Sequence, residues 1–452
     1  MTIEIVPTLS CPVGCSYCYH EEMWAENPLL RKVDYDIGMM VSGWQKLSAL
    51  RGGNKEVTFH GGEPLLMPIE DMDELCSKLK AKGANRFGMQ TSTYGMNDER
   101  IALFKKFQFG LGVSFDGPWY TGCPECFSPL EDLTFKVCSN CGKAVEPFEF
   151  DLNRGRGWLA APQRSKEFAN KTVHWIDRLH KEGFGVGTIS VVNSYNAGDD
   201  KRLGALMKFY TDRPWLNCRY NPVHTEQAQL KFMELSEERL VQVYRQIAER
   251  CIDQRANWEP IREWMNSLAG VSINACWHGS DCDPTNSTGA TFVTDHGDAM
   301  VCPKLGTVFD APLQIADHPP TPWRVKLLQQ IPFEQGGCKG CRYWYLCRGG
   351  CESDGIDGDV RNRTRFCRYI YTTLAYLEKR MKDIYPSQLV FPDLPASEQE
   401  RSLNKIRGWS FDNSVLFGEM VRTKAEGNVE KSTHSKRGRI KVPLTWETPP
   451  TA

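Results

Sequence analysis

The sequence predicts an α/β protein, a partial (β/α)6 TIM-type barrel with a four-cysteine insertion and a C-terminal cysteine-rich domain. Three observations carry this reading. Short β-branched and aromatic runs alternate about six times with amphipathic stretches, the pattern of a parallel sheet covered by helices. The motifs richest in chemistry all fall just after predicted strands, the end at which a barrel of this kind builds its site. The 18 cysteines are bunched rather than scattered, which points to metal ligation.

The elements follow in order. Residues 3–6 are an apolar run that reads as the first strand. Residues 34–50 place Ile37, Met40, Val41, Trp44 and Leu47 at helical spacing, and Ile69, Met72, Leu75, Cys76 and Leu79 repeat the pattern. Strands are expected at 55–59, 87–91, 109–115, 185–192 and 215–222, with helices at 166–182 and 200–210. Six strand–helix units fall short of the eight that close a barrel, so the predicted barrel is partial.

The most informative motif is Cys11-Pro12-Val13-Gly14-Cys15-Ser16-Tyr17-Cys18. Three thiolates on one tight loop can hold three irons of a [4Fe–4S] cube and leave the fourth iron open to a small molecule. Gly14 lets the loop turn, because glycine takes backbone angles that other residues avoid. A zinc loop is the competing reading; it needs a fourth ligand, and His20 is at hand. After the strand at 55–59 comes His60-Gly61-Gly62-Glu63-Pro64-Leu65-Leu66. Two glycines there allow close backbone approach, and Glu63 can accept a hydrogen bond from an ammonium group. The strand at 109–115 ends in Ser114-Phe115-Asp116-Gly117-Pro118.

Together these motifs resemble the radical S-adenosylmethionine (radical SAM) enzymes over the first half of the chain. The resemblance implies that Gly61, Gly62 and Glu63 bind the amino group of the methionine moiety and that Ser114 reaches the ribose. Asp116, in the same fourth-strand segment, is a further cofactor-binding candidate. So is Ser92, within Gln90-Thr91-Ser92-Thr93, which stands where the family commonly has an asparagine. Arg154, in Asp151-Leu152-Asn153-Arg154, is the matching candidate for the cofactor carboxylate.

Between the fourth strand and the next helix lies Cys123-Pro124-Glu125-Cys126, then Cys138-Ser139-Asn140-Cys141. Two such knuckles present four thiolates at tetrahedral corners, as in a structural zinc ribbon, expected over 119–150 as an insertion in the barrel and binding one Zn2+. A rubredoxin-like iron is the alternative metal. The ribbon reads either as a staple for a long loop or as a substrate-docking surface.

The C-terminal half carries Cys338, Cys341, Cys347, Cys351 and Cys367, with Cys276, Cys282 and Cys302 upstream and Gly297 before Cys302. From Cys282 onward this resembles the seven-cysteine signature of the SPASM extension of peptide- and protein-modifying radical SAM enzymes. The resemblance implies two further [4Fe–4S] clusters, the first held by Cys276, Cys282, Cys302 and Cys351, the second by Cys338, Cys341, Cys347 and Cys367. A pair of zinc sites is the alternative, since soft thiolates suit both. Cys76, Cys218 and Cys251 remain, and they read as small core residues. Of the histidines, His60 alone has a positional argument, for a hydrogen-bonding rather than a ligating role.

Lys and Arg number 55 against 56 Asp and Glu, a net charge of −1, so no global field favours nucleic acid. No apolar run reaches membrane-span length, and the N-terminus has no export signal. A cytoplasmic enzyme with reduced cysteines is expected. With ten residues before Cys11, no separate peptide-recognition domain is expected ahead of the barrel. The predicted domains are the barrel (1–225), a helical linker (226–270), the SPASM region (271–385) and a polar tail (386–452) whose charge without apolar periodicity argues for flexibility.

The resemblance implies S-adenosylmethionine and three [4Fe–4S] clusters as cofactors and a flavodoxin- or ferredoxin-like electron donor. Its domain pair points to a precursor-peptide substrate and an oxidative crosslink, a C–C or thioether bond. Two rivals stand beside it. Anaerobic sulfatase-maturating enzymes form formylglycine and carry an aspartate directly after the cysteine matching Cys302, where this chain has Pro303. A non-catalytic iron–sulfur or zinc scaffold is the other.

Overall fold

The structure, a computed structural model, describes residues 3–18, 20, 28–50, 53–128, 130, 137–146, 148–156, 161–224, 228–254, 256–269, 291–301, 323–358 and 362–384. The chain divides into two compact units: Met1–Val243 with Ser287–His318, and Tyr244–Asn286 with Pro319–Ala452.

The first unit is built on the strands β1 (Ile3–Ile5), β2 (Glu56–Phe59), β3 (Arg86–Thr91), β4 (Gly110–Ser114), β7 (Val186–Val192) and β8 (Asn217–Pro222). They pair side by side in that order, all parallel. These are the six strands of the predicted partial barrel. The helices α1 (Ile37–Leu50), α2 (Ile69–Ala81), α3 (Asp98–Phe107), α4 (Pro162–Lys181), the single turn α5 (Ser194–Ala197) and α6 (Asp200–Thr211) occupy the connections. Two further strands extend the sheet on the β1 side. β9 (Thr291–Val293) runs parallel to β1, and β10 (Ala299–Val301) returns antiparallel to β9. These edge strands are three residues each, too short for a periodic signal, and pairing with β1 is what makes them strands.

Helix boundaries have local causes. Asp36 accepts the Met39 N–H at 2.8 Å ahead of α1, Asn97 accepts the Arg100 N–H at 2.9 Å ahead of α3, and Asp199 accepts the Arg202 N–H at 2.8 Å ahead of α6. Each supplies an acceptor to a donor that the helix itself leaves unpaired. The apolar positions of α1 turn inward as predicted: Met40, Val41, Trp44 and Leu47 are all buried. Cys76, Cys218 and Cys251 are buried too, as expected of small core residues. Along each strand one set of alternate residues packs under the helices, such as Val57 and Phe59, Phe87 and Met89, Leu111 and Val113. The other set, Glu4, Thr58, Gln90 and Ser114, is left for the opposite, polar face.

The insertion between β4 and α4 forms its own two-stranded sheet. β5 (Trp119–Gly122) pairs antiparallel with β6 (Phe148–Asp151), Trp119 opposite Asp151. At the first knuckle Phe127 takes a positive φ of 57° and lays its ring on α6, where a Cβ added to Gly204 would sit 2.5 Å from the ring. Gly204→Val is therefore expected to crowd the knuckle off the helix at about 1–3 kcal/mol. Hydrogen exchange should speed up in β5 and β6 while metal content stays unchanged; unaltered exchange would show that the knuckle does not depend on this seat.

The second unit is helical. α7 (Glu237–Gln254) leads into it, followed by α8 (Ile261–Leu268), α9 (Trp323–Gln330), α10 (Trp344–Cys347) and α11 (Cys367–Ile384). Tyr369 on α11 stacks on Tyr244 at 4.3 Å between centroids and meets Trp264 and Phe366. No helix among the described residues is long and apolar enough to cross a membrane. The predicted tail (386–452) lies outside the described residues.

Candidate active site

The three-cysteine loop leaves β1 at the C-terminal end of the sheet, where the sequence places the site. Gly14 has φ 63°, the conformation its place in the loop requires. The Cys18 N–H closes the turn onto the Cys15 carbonyl at 3.1 Å. Burial pushes the Cys11 thiol up to about 12 and raises Cys15 as well, with Arg156 working the other way on both. Thiols so placed ionise in company with a cation, and three soft donors on one loop suit an iron–sulfur cluster. His60 accepts the Gly61 N–H at its Nδ1, 2.7 Å away, the hydrogen-bonding role expected of it. Burial, and then His60, drive buried His20 down to about 3.

The glycine–glutamate turn lies directly against this loop. The Gly62 N–H donates to the Thr8 carbonyl at 2.9 Å and the Glu63 N–H to the Ser10 carbonyl at 2.8 Å. A Cβ on Gly62 would stand 2.2 Å from the Ser10 oxygen and 2.4 Å from the Leu9 oxygen, so only glycine allows the approach. The Glu63 carboxylate is fully buried. Its Oε1 accepts from Leu65 N–H at 3.1 Å and Thr91 Oγ1 at 2.7 Å; its Oε2 accepts from Ser92 N–H at 2.8 Å and from the Ser92 hydroxyl. Desolvation raises its pKa against these four donors. Glu63 and Ser92, separate in the sequence reading, are thus one hydrogen-bonded group joining the second and third strand ends.

At the end of β4, Ser114 Oγ accepts from Gln90 Nε2 at 2.7 Å. Asp116 is fully buried and acts as a hub. Its Oδ2 accepts from the Tyr17 hydroxyl at 2.5 Å and its Oδ1 from the Val191 N–H at 2.8 Å. Its backbone carbonyl accepts from Asn196 Nδ2 at 3.0 Å, and its N–H donates to Asn153 Oδ1 at 3.4 Å. Burial raises its carboxyl to about 6, with Arg156 the main opposing influence. The carboxylate thereby pins the aromatic residue of the cysteine loop to β4 and β7.

The segment after β6 completes this arrangement. The Gly155 carbonyl accepts the Ser16 N–H at 3.1 Å, and a Cβ on Gly155 would come 3.3 Å from Tyr17 Cε1. Arg154 reaches Asp151 at 3.8 Å and stays partly exposed. Arg156, two residues on, is buried. Sequence reasoning missed Arg156, Asn153 and the Tyr17–Asp116 bond. Spacing does not show which of two arginines flanking a glycine turns inward.

In the ribbon, the Sγ atoms of Cys123, Cys126, Cys138 and Cys141 all lie within 4.8 Å of one another, and no other set of three or more Cys, His, Asp or Glu ligand atoms among the described residues does so. Cys123 and Cys141 are 3.8 Å apart, Cys126 and Cys138 3.7 Å. A tetrahedron with zinc–sulfur bonds of about 2.3 Å has edges of about 3.8 Å, so the four thiolates fit a single zinc ion.

In the second unit burial, and then Cys367, Cys338 and Cys341, raise the Cys347 thiol. The backbone makes room with positive φ at Gly340, Arg348, Gly349 and Gly350. Glu378 on α11 ties this loop down, accepting from Tyr343 Oη at 2.7 Å, Arg342 Nη2 at 2.8 Å and Lys382 Nζ at 2.5 Å. Cys351 lies 3.0 Å from the Ser353 hydroxyl. Cys276, Cys282, Cys302 and Pro303 are outside the described residues.

A parallel α/β sheet carries a three-cysteine loop after its first strand and a glycine–glutamate turn after its second. Residues 5–121 match the family model described as the Radical SAM superfamily. Over 119 residues it is 34% identical to an uncharacterized protein of Methanothermobacter thermautotrophicus, covering 26% of this chain and 43% of that one. Over 266 residues it is 24% identical to an uncharacterized protein of Synechocystis, covering 57% and 56%. The chain thus spans about half the length of the curated relatives it matches. Among solved structures, native anSMEcpe with bound AdoMet and Kp18Cys peptide superposes with a TM-score of 0.57 at 15% identity, over 85% of this chain and 99% of that one. That likeness shows a shared fold.

Proposed function

We propose that this enzyme is a peptide maturase that installs an oxidative crosslink, a C–C or thioether bond, in a ribosomally made precursor peptide. The observation that carries the reading is the second group of cysteines, Cys338, Cys341, Cys347 and Cys367, in the same chain as the three-cysteine loop. Four thiolates saturate a cluster and leave no open iron, which suits electron transfer rather than cofactor cleavage. The 0.57 superposition on a structure holding both AdoMet and a peptide supports a peptide substrate.

When bound, the cluster at Cys11, Cys15 and Cys18 and S-adenosylmethionine supply one-electron cleavage and a carbon radical that takes a hydrogen atom from the substrate. The chain's own residues bind and orient. Gly61 and Gly62 hold the turn against the cysteine loop, where they would help bind the methionine amino group, and Glu63, held by Thr91 and Ser92, would offer it a carboxylate. Ser114, oriented by Gln90, would bind the ribose, and Arg154 would bind the carboxylate. Asp116 holds Tyr17 and with it the cysteine loop. Zinc at Cys123, Cys126, Cys138 and Cys141 holds the insertion together. Cys276, Cys282, Cys302 and Cys351 are the proposed ligands of a further cluster, and a flavodoxin- or ferredoxin-like protein is the proposed electron donor.

Crosslinking removes a hydrogen atom and then an electron and a proton, so the product should be lighter than the precursor by two hydrogens per bond. It should resist carbonyl reagents and lack backbone fragments across the ring in tandem mass spectrometry. Formylglycine formation instead needs a base near the substrate β-carbon, and the position after Cys302 is Pro303, which accepts no proton. A product that reacts with a hydrazide probe and fragments as a linear chain would overturn the crosslinking reading.

A further inference from the structure

We infer that Arg156 is a positioning residue of the cysteine loop, a fixed buried cation that balances the thiolate charge of Cys11 and Cys15 and so sets how readily the cluster held there accepts an electron. The inference rests on the radical SAM reading of that loop.

The geometry begins with the chain trace. Gly155 accepts the Ser16 N–H and lies against Tyr17, which ties the segment carrying Arg156 to the cysteine loop. The Arg156 N–H donates to the Asn153 carbonyl at 2.8 Å, and the Asn153 side chain accepts from Asp116. The turn carrying Arg156 is therefore fastened at both ends to the groups that hold the loop. Arg156 is 7% exposed, and its Nε, also buried, has no hydrogen-bond partner among the described residues. A guanidinium in that position is costly unless negative charge faces it. The charged neighbours it senses are Cys15, Tyr17, Asp116 and Cys11. Two of these are the thiolates that would ligate iron, and a third is the carboxylate that pins the loop. A positive charge close to a cluster favours its reduced, more negative state.

The test is a redox titration of the full-length, anaerobically reconstituted protein without S-adenosylmethionine, read by electron paramagnetic resonance. The signal of the cysteine-loop cluster is isolated by subtracting that of a Cys11→Ala, Cys15→Ala, Cys18→Ala protein. Arg156→Gln is expected to lower the equilibrium constant for reduction at least tenfold, about 59 mV for one electron, whereas Arg156→Lys should stay near wild type. Should Arg156→Gln fail to load iron, Asp116→Asn carries the test. Removing that negative charge should move the midpoint upward, a sign that a merely structural role would not produce. A wild-type midpoint in loaded Arg156→Gln overturns the inference. So does a Lys variant as low as the Gln variant, or an Asp116→Asn midpoint that does not rise. If Arg156→Gln weakens cofactor binding with no change in midpoint, the guanidinium serves the cofactor and the inference likewise fails. Absence of a cysteine-loop signal in the wild-type protein would instead defeat the radical SAM reading.

Discussion

Alanine at Cys11, Cys15 and Cys18 together is expected to abolish S-adenosylmethionine cleavage and to remove about four irons from the anaerobically reconstituted protein, leaving any other clusters in place. The reason is local. All three thiolates sit on one loop after β1, and the loop is held from outside by Tyr17 on Asp116, Ser16 on Gly155, and the Gly62–Glu63 turn on Thr8 and Ser10. Those contacts involve no cysteine side chain, so the first unit keeps its fold while the metal site is lost. Iron analysis and chromatography of 5′-deoxyadenosine check both halves. Continued 5′-deoxyadenosine formation in the triple variant would place the cleaving cluster elsewhere, and finding only zinc in the wild-type protein would end the radical SAM assignment.

Gly62→Ala is expected to have the second largest effect. The added carbon would stand 2.2 Å from the Ser10 carbonyl and 2.4 Å from the Leu9 carbonyl, both backbone atoms that cannot rotate aside. The turn and the cysteine loop must then separate by roughly 1 Å, a displacement of reacting groups that costs about 10²-fold in rate. Iron content should change little, because the thiolates remain. Gly185→Ala, where an added Cβ meets nothing within 4 Å, serves as the control and should cleave at the wild-type rate. Equal rates for the two variants would show that the close approach of turn and loop is not needed for cleavage.

Much of the first unit was legible because its signals are short-range. Six alternating runs became β1, β2, β3, β4, β7 and β8 in one parallel sheet, and the motifs landed at one end of it. Periodicity and cap residues are properties of neighbouring positions, so they survive in the sequence. The edge strands β9 and β10 do not have such a signal. Thr291, Phe292 and Val293 are a strand because Ile3, Glu4 and Ile5 offer them partners, and no window of residues around 291 contains that fact.

The candidate site divides the same way. Residue chemistry and spacing pointed to a metal-binding three-cysteine loop and to four ribbon thiolates, because a metal site needs particular donors at particular intervals, and the resemblance to radical SAM enzymes gave the loop and the glycine–glutamate turn their expected roles. What the tertiary structure alone decided is which charges face that loop. Asp116 was read as a cofactor residue, and in the fold its carboxylate is taken up by Tyr17 and Val191. Arg154 was the candidate for the cofactor carboxylate, yet it stays partly exposed at Asp151, and it is Arg156, after the glycine that lies against Tyr17, that is buried. Ligand identity is written in residue type and interval, whereas burial and electrostatic partnership arise only when distant segments meet.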